Sequence, residues 1–460
     1  MSSGATDPVL VLGGGVAGLA AALRLSQAGH EVVVLEAGPT PGGVVGTVAV
    51  DGYLHERAAS SFLGSADDGA AALCDELGVA VQAAAPAARS RWIYLDGALR
   101  RLPRNPLELV TTDLLTWRGK LDLVREPLRP GRDPAHAGDE SIHAFAARRL
   151  GPEVARAIVA PFVTGIFAAD AHAVSLAAGF PKLAALDADG GLVRGALRQG
   201  LRRLAGVTAS SPRRRHPRGL LAPVGGMQAM VTAMAERLGP ALRCGVTARA
   251  LVASGDGVEV VTDTGRVRGR GVVLALPARA TAELVAGADP VLAARLTGFQ
   301  RAPAAVLYLG YPATAVPRAA DGFGLLVAQG EAARLLGVVF ESTVWPGRAP
   351  AGHVLLRCIY GGARDPGAVG LDDDALVAAA RADLARTLGV SAAPTHVELI
   401  RWPAGIAQYP VGHRERVAEL DGRVRASRMV LAGADYHGVG LNDVIADARR
   451  VVREVAGWRA

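Results

Sequence analysis

The 460-residue sequence predicts an α/β fold that begins with a βαβ unit of the nucleotide-binding kind. The apolar run at residues 9–12, VLVL, is typical of a buried parallel strand, and it stops at the glycine pattern G-x-G-x-x-G of residues 13–18. A helical pattern follows over residues 16–28, and residues 31–36, EVVVLE, predict a second strand. Together they form one βαβ unit within about thirty residues.

The glycines and an acidic residue predict a dinucleotide site in this unit. Glycines let the backbone turn sharply and approach a pyrophosphate, and the helix N-terminus offers free N–H groups and a positive dipole end. Glu36 closes the second strand, where a carboxylate accepts hydrogen bonds from both ribose hydroxyls of an adenosine. The glycine pattern alone is weak evidence in a chain rich in Ala and Gly. Because strands, helix and acid agree with it, we expect a Rossmann-like domain.

A second glycine pair indicates which dinucleotide is bound. Pro41-Gly42-Gly43 follows Glu36 closely, as in flavin enzymes of this general type and unlike most nicotinamide dehydrogenases. The segment 321–326, DGFGLL, lacks the third glycine and the downstream acid of a second fingerprint. The sequence therefore predicts FAD as the cofactor, with no dedicated nicotinamide domain. Electrons would come from the substrate and leave to oxygen or a quinone, as in an oxidase or dehydrogenase.

The composition excludes several classes of protein. Half of the residues are hydrophobic and a fifth are charged, which is typical of a folded chain. The net charge is +7, but 48 of the 50 basic residues are arginines, a bias that lowers the weight of any single arginine. No long basic block with interleaved aromatic residues indicates nucleic-acid binding.

The three cysteines are far apart and match no metal or CxxC spacing, which is typical of a reduced, cytosolic protein. The start of the chain carries no basic region followed by an apolar run, and no segment has the length and polarity of a membrane-spanning helix. We therefore expect a cytoplasmic location without any metal site. Attachment to the inner face of the cell membrane stays open.

The central part of the chain alternates between helical and strand patterns. Helices are predicted at residues 70–77, 141–150, 153–160 and 223–238. Residues 90–99 form two alternating strands around Asp96-Gly97, a strong hairpin signal. The basic segment 206–219, GVTASSPRRRHPRG, predicts a loop that is either solvated or in contact with anionic lipid headgroups.

Strands dominate the later part of the chain. They are predicted at residues 247–253, 257–263, 271–276, 304–310, 323–328, 337–342, 353–360 and 429–433. The strand at 271–276 ends in Leu-Pro, as expected of a strand that returns to the nucleotide-binding sheet. Residues 439–443 open a last helix. The nucleotide-binding domain therefore takes residues from the start, middle and end of the chain, with two insertions.

These segments together resemble a known family. The following features occur in the same order and spacing as in that family: GGGVAGL, Glu36, the glycine pair 42–43, SRWIYLDGALRRLP, TGIFAAD, SLAAGFP, DGFGLLV, RWPAGIAQYPVGH and GADYHGVGLND. The chain resembles the oxygen-dependent, FAD-containing protoporphyrinogen oxidases of mitochondria and myxobacteria over nearly its whole length. The G-x-G-x-x-G element is shared with all amine-oxidase-like flavoproteins, whereas IAQYPVGH and GVGLND are more particular to porphyrinogen oxidases.

The resemblance implies a fold like that of p-hydroxybenzoate hydroxylase. It implies a discontinuous FAD-binding domain of residues 1–75, 206–280 and 400–460, a helical membrane-binding domain of residues 76–205, and a mixed β-sheet substrate domain of residues 281–399. It also implies a porphyrinogen substrate, O2 as the electron acceptor, peripheral contact with a membrane surface and a place in heme biosynthesis. A homodimer is compatible with it.

The resemblance also assigns site residues by position. Cofactor contacts are expected at Gly13, Gly14, Gly15, Val16, Ala17, Gly18, Glu36, Ala37, Gly43, Val44, Ala58, Ala59, Ser60, Ser61, Ala248, Trp402, Ala434, Val439, Gly440 and Leu441. Arg91 falls where the family has an arginine facing a propionate, and Gly165 where a glycine carbonyl faces pyrrole N–H groups. Phe323 and Leu326 match apolar walls around the macrocycle. No side chain is expected to act as acid, base or nucleophile, because the flavin accepts the hydride.

Two departures from the family pattern stand beside the expected cofactor. Family members usually carry Glu-x-Gly-Pro where this chain has Glu56-Arg-Ala-Ala59, which puts the path of the loop in question. They also often carry Asn or Ser near the position of Asp435, where an acid changes the field at the flavin.

Other functions stay open from the sequence. A coproporphyrinogen III oxidase of the same fold acts on four propionates instead of two, and the basic charge of the chain fits it. An amine oxidase, a carotenoid desaturase or a non-catalytic binding protein, as in the GDP-dissociation inhibitors, are further alternatives. Arg91 and the myxobacterial likeness favour protoporphyrinogen.

Overall fold

The computed structural model describes residues 7–64, 68–129, 138–204, 216–217, 219–254, 257–317 and 321–458. The strands of this part, in chain order, are β1 (Val9–Leu12), β2 (Val32–Glu36), β3 (Thr47–Val50), β4 (Tyr53–Glu56), β5 (Phe62–Leu63), β6 (Val81–Ala83), β7 (Trp92–Leu95), β8 (Ala98–Arg101), β9 (Leu220–Pro223), β10 (Leu242–Cys244), β11 (Ala248–Ser254), β12 (Gly257–Thr262), β13 (Gly265–Gly269), β14 (Gly271–Leu274), β15 (Arg301–Pro312), β16 (Gly324–Val327), β17 (Gly337–Val339), β18 (His353–Gly361), β19 (His396–Ala407) and β20 (Met429–Leu431).

The α-helices are numbered in the same way. They are α1 (Val16–Gln27), α2 (Ala70–Leu77), α3 (Pro106–Thr111), α4 (Trp117–Val124), α5 (Ile142–Leu150), α6 (Pro152–Val154), α7 (Ala160–Phe167), α8 (Leu176–Gly179), α9 (Pro181–Ala188), α10 (Leu192–Leu204), α11 (Gln228–Leu238), α12 (Ala278–Val285), α13 (Pro290–Leu296), α14 (Glu341–Val344), α15 (Asp373–Leu388), α16 (His413–Arg425) and α17 (Leu441–Ala456). The basic segment 206–219 lies largely outside the described residues.

A parallel five-stranded sheet carries the predicted βαβ unit. Its strand order is β10-β2-β1-β14-β20. Val9 and Val11 of β1 pack with α1, α11 and α17 on one face, and Leu10 and Leu12 pack with α12, α13 and α16 on the other. Burial on both faces explains why this strand is uniformly apolar. The predicted α/β fold is confirmed, as is the return of the 271–276 segment to the first sheet.

A seven-stranded mixed sheet is the second large layer. Its order is β19-β15-β18-β17-β16-β7-β8, and β16 pairs with β7 in parallel while the other neighbours are antiparallel. The predicted hairpin is confirmed, since Asp96 and Gly97 join β7 to β8 with φ of 53° and 71°, the positive values that a type I′ turn needs. Helix α15 packs against this sheet. Residues 92–101, predicted within the helical domain, thus pair with strands predicted for the substrate domain.

The helical part from α3 to α10 leaves many apolar side chains in contact with solvent. The exposed large apolar residues are Leu107, Val110, Trp117, Val124, Leu128, Phe162, Ile166, Val193, Leu197 and Leu201. Its cores are built around buried residues such as Phe145 and Phe167. In the described part of the chain, no helix has both the length and the apolar character needed to cross a bilayer.

One predicted helix begins later than expected. Pro223 ends strand β9, and the helix starts at Gln228. Gly225 and Gly226 between them have φ of 82° and 102°. Glycine adopts such values without steric cost, so the pair forms a turn and the helix cannot start at residue 223.

Two further boundaries differ from prediction. The strand expected over residues 337–342 ends at Val339, because Glu341 opens α14 and its buried carboxylate binds Arg348 (2.8 Å). The helix expected over residues 153–160 contains a π-helical turn at Ala155–Val159 and runs on to Phe167. Pro161 has no N–H to donate, so a regular α-helical hydrogen bond is missing just after this turn.

Candidate cofactor and substrate site

The glycine segment from the end of β1 into α1 has no room for a side chain at Gly13 or Gly18. Gly13 has φ of 103°, and a Cβ there would lie 2.5 Å from the Ala275 carbonyl oxygen. A Cβ on Gly18 would overlap the Gly13 carbonyl oxygen. A Cβ on Gly15, by contrast, would meet no atom of the described chain within 4 Å. The space in front of Gly15 is therefore open to a ligand at the N-terminus of α1.

Two backbone N–H groups orient the Glu36 carboxylate at this edge of the sheet. The Gly14 N–H donates to Oε2 (2.6 Å), and the Gly38 N–H donates to Oε1 (2.7 Å). Each carboxylate oxygen keeps lone-pair capacity for a ribose hydroxyl. This geometry fits the predicted contact of Glu36 with adenosine.

The second glycine pair joins the first glycine turn directly. The Gly42 N–H donates to the Gly14 carbonyl oxygen (2.8 Å), and Gly15 and Gly42 form a parallel bridge. Gly43 has φ of 61°. Three further residues of the expected cofactor surface are exposed beside this turn, namely Ala37, Gly43 and Val44.

Residues near the C-terminus complete the same region. A Cβ on Gly433 would lie 3.8 Å from the Ala17 Cβ, so the segment 434–441 passes the start of α1. The Tyr409 hydroxyl donates to the Ala434 carbonyl oxygen (2.7 Å) and accepts from the Gly438 N–H (2.8 Å). Gly440 precedes the first turn of α17, so the positive dipole end of this helix lies at residues 440–441, where the Asp443 carboxylate accepts from the Gly440 N–H.

The loop after β4 and two distant residues border this region. The Trp402 Nε1–H donates to the Arg57 carbonyl oxygen (2.8 Å), which places the indole next to the expected contacts Ala58, Ala59, Ser60 and Ser61. The Asn442 side chain donates to the Leu63 carbonyl oxygen (2.8 Å), so α17 begins beside the end of this loop. The Val246 N–H donates to the Glu36 carbonyl oxygen (2.9 Å), and Ala248 follows two residues later.

The two departures from the family pattern have distinct structural settings. Among the described residues, the non-glycine residues with positive φ do not include Ala58, so the lost glycine leaves no backbone strain there. Asp435 is buried, accepts from the Ala278 N–H (2.7 Å) and lies 3.6 Å from the Arg301 guanidinium. Burial raises the pKa of Asp435 and the Arg301 charge opposes this rise. The acid therefore caps α12 and pairs with Arg301.

The four predicted substrate residues form two contacting pairs. The Arg91 guanidinium stacks 5.2 Å from the Phe323 ring centre, and desolvation lowers the pKa of Arg91 although the residue as a whole is exposed. A Cβ on Gly165 of α7 would lie 2.6 Å from Leu326 Cδ2. Leu326 pairs with Ile93 in the parallel β16–β7 ladder. Both pairs adjoin strand β16, which Phe323 directly precedes and which contains Leu326, and the four residues are called the wall below.

This wall reaches the expected cofactor segment through helix α7. Val163 and Phe167 on α7 belong to an apolar cluster on which Ala434 and Val439 pack. On the other side of α7, Phe162 and Ile166 are 46% and 42% exposed, flanking Gly165. The open side of α7 is therefore apolar, as a macrocycle requires.

Sequence reasoning assigned no role to several residues that shape this region. Tyr409 and Asn442 lie inside quoted segments, so their positions were visible but their contacts were not. From the sequence, Glu56 is notable only as the first residue of the departure Glu56-Arg-Ala-Ala59. In the structure its buried carboxylate binds Arg348 (2.6 Å) and the Met227 N–H (3.1 Å). Burial raises the pKa of Glu56, while Arg348 lowers it. Within the described residues, no group of three or more His, Cys, Asp or Glu side chains is placed to hold a metal ion.

Comparison with known proteins places the chain among flavin enzymes. The family of flavin containing amine oxidoreductases matches residues 16–456. Protoporphyrinogen oxidase 1 of Spinacia oleracea chloroplasts is 30% identical over 98% of this chain and 84% of its own length. Coproporphyrinogen III oxidase of Propionibacterium freudenreichii is 31% identical over 97% and 90%, and protoporphyrinogen oxidase of Bos taurus is 29% identical over 98% and 98%.

Solved structures show the same fold. A crystal structure of an Exiguobacterium sp. 255-15 protein superposes with a TM-score of 0.82 and 23% identity, covering 98% of this chain and 99% of that one. Cyclohexylamine oxidase of Brevibacterium oxydans gives 0.69 and 16% identity over 98% and 100%. The predicted flavoprotein fold and FAD as cofactor are confirmed. The open space at Gly15 and the oriented Glu36 carboxylate fit the pyrophosphate and ribose of this group.

We expect Gly15→Ala to weaken FAD binding about tenfold or more while the apoprotein keeps its stability. The added methyl group meets no protein atom but enters the space in front of the helix N-terminus. Gly18→Ala is the matched control, because its methyl group overlaps the Gly13 carbonyl oxygen and should lower the melting temperature of the apoprotein. Flavin fluorescence titration and thermal melts measure the two effects. Unchanged FAD affinity in Gly15→Ala would contradict this assignment.

Proposed function

Since this chain belongs to the flavin containing amine oxidoreductase family, we propose that it is an oxygen-dependent protoporphyrinogen oxidase. It would convert protoporphyrinogen IX to protoporphyrin IX in heme biosynthesis. The observation that carries this proposal is the wall of Arg91, Phe323, Gly165 and Leu326, which joins a cation to apolar surface beside the expected cofactor segment. A porphyrinogen has the same combination of a flat apolar body and carboxylate arms.

The side chains of this wall bind and orient the substrate. Arg91 holds a propionate through the paired N–H groups of its guanidinium. Phe323 and Leu326 cover the faces of the pyrrole rings, and the Gly165 carbonyl accepts from pyrrole N–H groups. When bound, FAD supplies two-electron hydride acceptance, which the conversion needs three times, with O2 as the final acceptor. The N-terminus of α17 would supply a positive dipole end to negative charge that develops on a bound flavin.

The same proposal covers the remaining cofactor contacts and the domain division. The expected contacts surround the open edge at Gly15, from Gly13 and Glu36 to the start of α17. We propose residues 1–75, 206–280 and 400–460 as the FAD-binding domain, 76–205 as the helical domain and 281–399 as the substrate domain. Within the range 76–205, the hairpin of residues 92–101 is the exception, because it pairs with the sheet of the substrate domain.

A coproporphyrinogen III oxidase is the second candidate. The relatives in Propionibacterium freudenreichii and Bacillus subtilis carry that name, at 31% and 25% identity. Coproporphyrinogen has four propionates, whereas protoporphyrinogen has two. Arg91 is the one cation among the four proposed substrate contacts, which favours the substrate with fewer carboxylates.

Purified holoenzyme should oxidise protoporphyrinogen IX with a higher kcat/KM than coproporphyrinogen III. Porphyrin fluorescence measures product formation in parallel assays of both porphyrinogens, with oxygen uptake followed at the same time. A reversed preference would establish the second candidate. An FAD-loaded protein that oxidises neither substrate would contradict the porphyrinogen oxidase proposal.

Arg91→Ala should lower kcat/KM for protoporphyrinogen mainly through a higher KM, with the flavin spectrum unchanged. A charge-assisted pair is worth about 1.5–3 kcal/mol, which corresponds to about tenfold to a hundredfold in kcat/KM. Arg91→Lys should recover only part of the loss, since lysine keeps the charge and lacks the paired donors. Arg279→Ala, at an arginine whose side chain is 88% exposed, is the control. Equal kinetics for the Arg91 and Arg279 variants would end the propionate assignment.

We also propose that the helical part binds an anionic membrane surface on the cytoplasmic side. Val193, Leu197 and Leu201 recur every four residues on α10, and all three are exposed. Arg194 and Arg198 lie within the same turns. Apolar side chains flanked by arginines suit a helix that lies in the headgroup region. A homodimer stays a prediction of the resemblance.

Leu197→Glu should weaken binding to vesicles of phosphatidylcholine and phosphatidylglycerol about tenfold or more, because burial of a leucine side chain contributes about 1.5–3 kcal/mol. Val397→Glu is the matched control, since Val397 is also an exposed apolar residue (43%) but lies on β19. Cosedimentation measures both variants, and porphyrinogen oxidation in detergent should be retained. Equal vesicle binding by the two variants would refute the role of α10.

A further inference from the structure

The peptide group of Glu56 is held by one tyrosine of the seven-stranded sheet. The Tyr308 hydroxyl donates to the Glu56 carbonyl oxygen (2.8 Å) and accepts from the Glu56 N–H (3.1 Å). Tyr308 is fully buried in the centre of β15, 252 residues away along the chain. Two hydrogen bonds to a single residue fix both the position and the direction of the chain as it leaves β4.

The next two carbonyl groups are held from neighbouring strands. The Trp402 Nε1–H on β19 donates to the Arg57 carbonyl oxygen (2.8 Å), and the Arg357 Nη2–H on β18 donates to the Ala58 carbonyl oxygen (2.5 Å). Arg357 stands directly opposite Tyr308 in the β15–β18 ladder. Three adjacent strands therefore bind three consecutive carbonyl oxygens.

The side chain of Glu56 anchors the start of this segment as well. Arg348 is 3% exposed and lies between two buried carboxylates, 2.6 Å from Glu56 and 2.8 Å from Glu341. Thr47 donates to Glu56 from the neighbouring strand β3 (2.7 Å). Breaking a buried pair of this kind is costly, so these contacts hold the beginning of the segment in place.

The local sequence explains why such anchoring is needed. A proline fixes its own φ and restricts the residue before it, which limits the paths that a loop can take. This chain has Ala58-Ala59 where Gly-Pro is usual, so the proline restriction on φ at position 59 and on the residue before it is absent. Hydrogen bonds from the sheet restrict the same residues in another way.

We propose that Tyr308, Trp402 and Arg357 are positioning residues that hold the segment 56–58 so that Ala58–Ser61 meets FAD in one conformation. This inference rests on the proposed cofactor contact of residues 58–61. Its test uses FAD binding without any porphyrinogen, so its failure is separate from failure of the proposed oxidase activity. If these side chains have a purely structural role, their replacement should lower FAD affinity only as far as it lowers the stability of the apoprotein. If they position the segment, FAD affinity should fall by more than the loss of stability explains.

Tyr308→Phe is the main variant and Tyr311→Phe its matched control. Both tyrosines are fully buried on β15, but the Tyr311 hydroxyl has no hydrogen-bond partner in the described part of the chain. We expect Tyr308→Phe to raise the Kd of the apoprotein for FAD about tenfold. Hydrogen exchange in a peptide covering residues 54–61 should become faster. Tyr311→Phe should match the wild type in both measurements.

Trp402→Phe gives a second test of the loop, read mainly through hydrogen exchange because Trp402 is itself an expected FAD contact. It keeps an aromatic ring beside Arg57, whose guanidinium lies 5.3 Å from the Trp402 ring centre, but removes the N–H donor. We expect faster exchange over residues 54–61 and weaker FAD binding, with an apoprotein melting temperature close to that of Tyr311→Phe. The proposal is overturned if Tyr308→Phe and Tyr311→Phe bind FAD equally. It is also overturned if exchange over residues 54–61 increases while FAD affinity stays at the wild-type value.

Discussion

The fold depends on the close packing of the first glycine turn against the end of strand β14. The carbonyl oxygen of Ala275 occupies the space that a side chain on Gly13 would need, and Gly13 in turn occupies the space beside Gly18. This packing brings the N-terminus of α1 to the sheet edge, where Glu36 is already oriented by backbone N–H groups. The second glycine pair is bonded to the same turn through the Gly42 N–H and the Gly14 carbonyl oxygen (2.8 Å).

The cofactor site is assembled from segments that are distant in sequence and held by a few specific hydrogen bonds. Tyr409 fixes the chain from Ala434 to Gly438, and Asn442 connects the start of α17 to the end of β5 and to the first residue of α2. Apolar packing of α7 against the same C-terminal segment connects the substrate wall to the cofactor region. Side chains from outside the five-stranded sheet therefore shape the region where the cofactor is expected.

Much of the fold was predictable because it depends on local patterns. The buried strand β1, the glycine turn and the Asp96-Gly97 hairpin each have a short-range physical signature. The start of α11 was not predicted correctly, because the positive φ of Gly225 and Gly226 is a conformation that glycine permits but does not require. The end of β17 was missed since the burial of Glu341 with Arg348 is a tertiary effect.

The site was predictable only in part. Gly13–Gly18 and Glu36 followed from spacing, whereas the assignment of Arg91, Gly165, Phe323 and Leu326 came from resemblance. No sequence pattern indicated that Arg91 stacks on Phe323 or that Gly165 contacts Leu326. Tyr308 lies in a strand that reads as ordinary core, and its partner Glu56 is 252 residues away. Such contacts depend on the register of a distant strand, which local sequence does not encode.

The order of strands in the first sheet has a consequence for biosynthesis. Strand β14 pairs on one side with β1 but on the other with β20, which consists of residues 429–431. Helix α17, which packs on α1, ends only at Ala456. During translation the β14 edge stays unpaired until almost the whole chain has left the ribosome, and unpaired edges promote aggregation of nascent chains. The sheet that carries the glycine turn is therefore completed only after residues 429–431 have been synthesised, long after β1, α1 and β2.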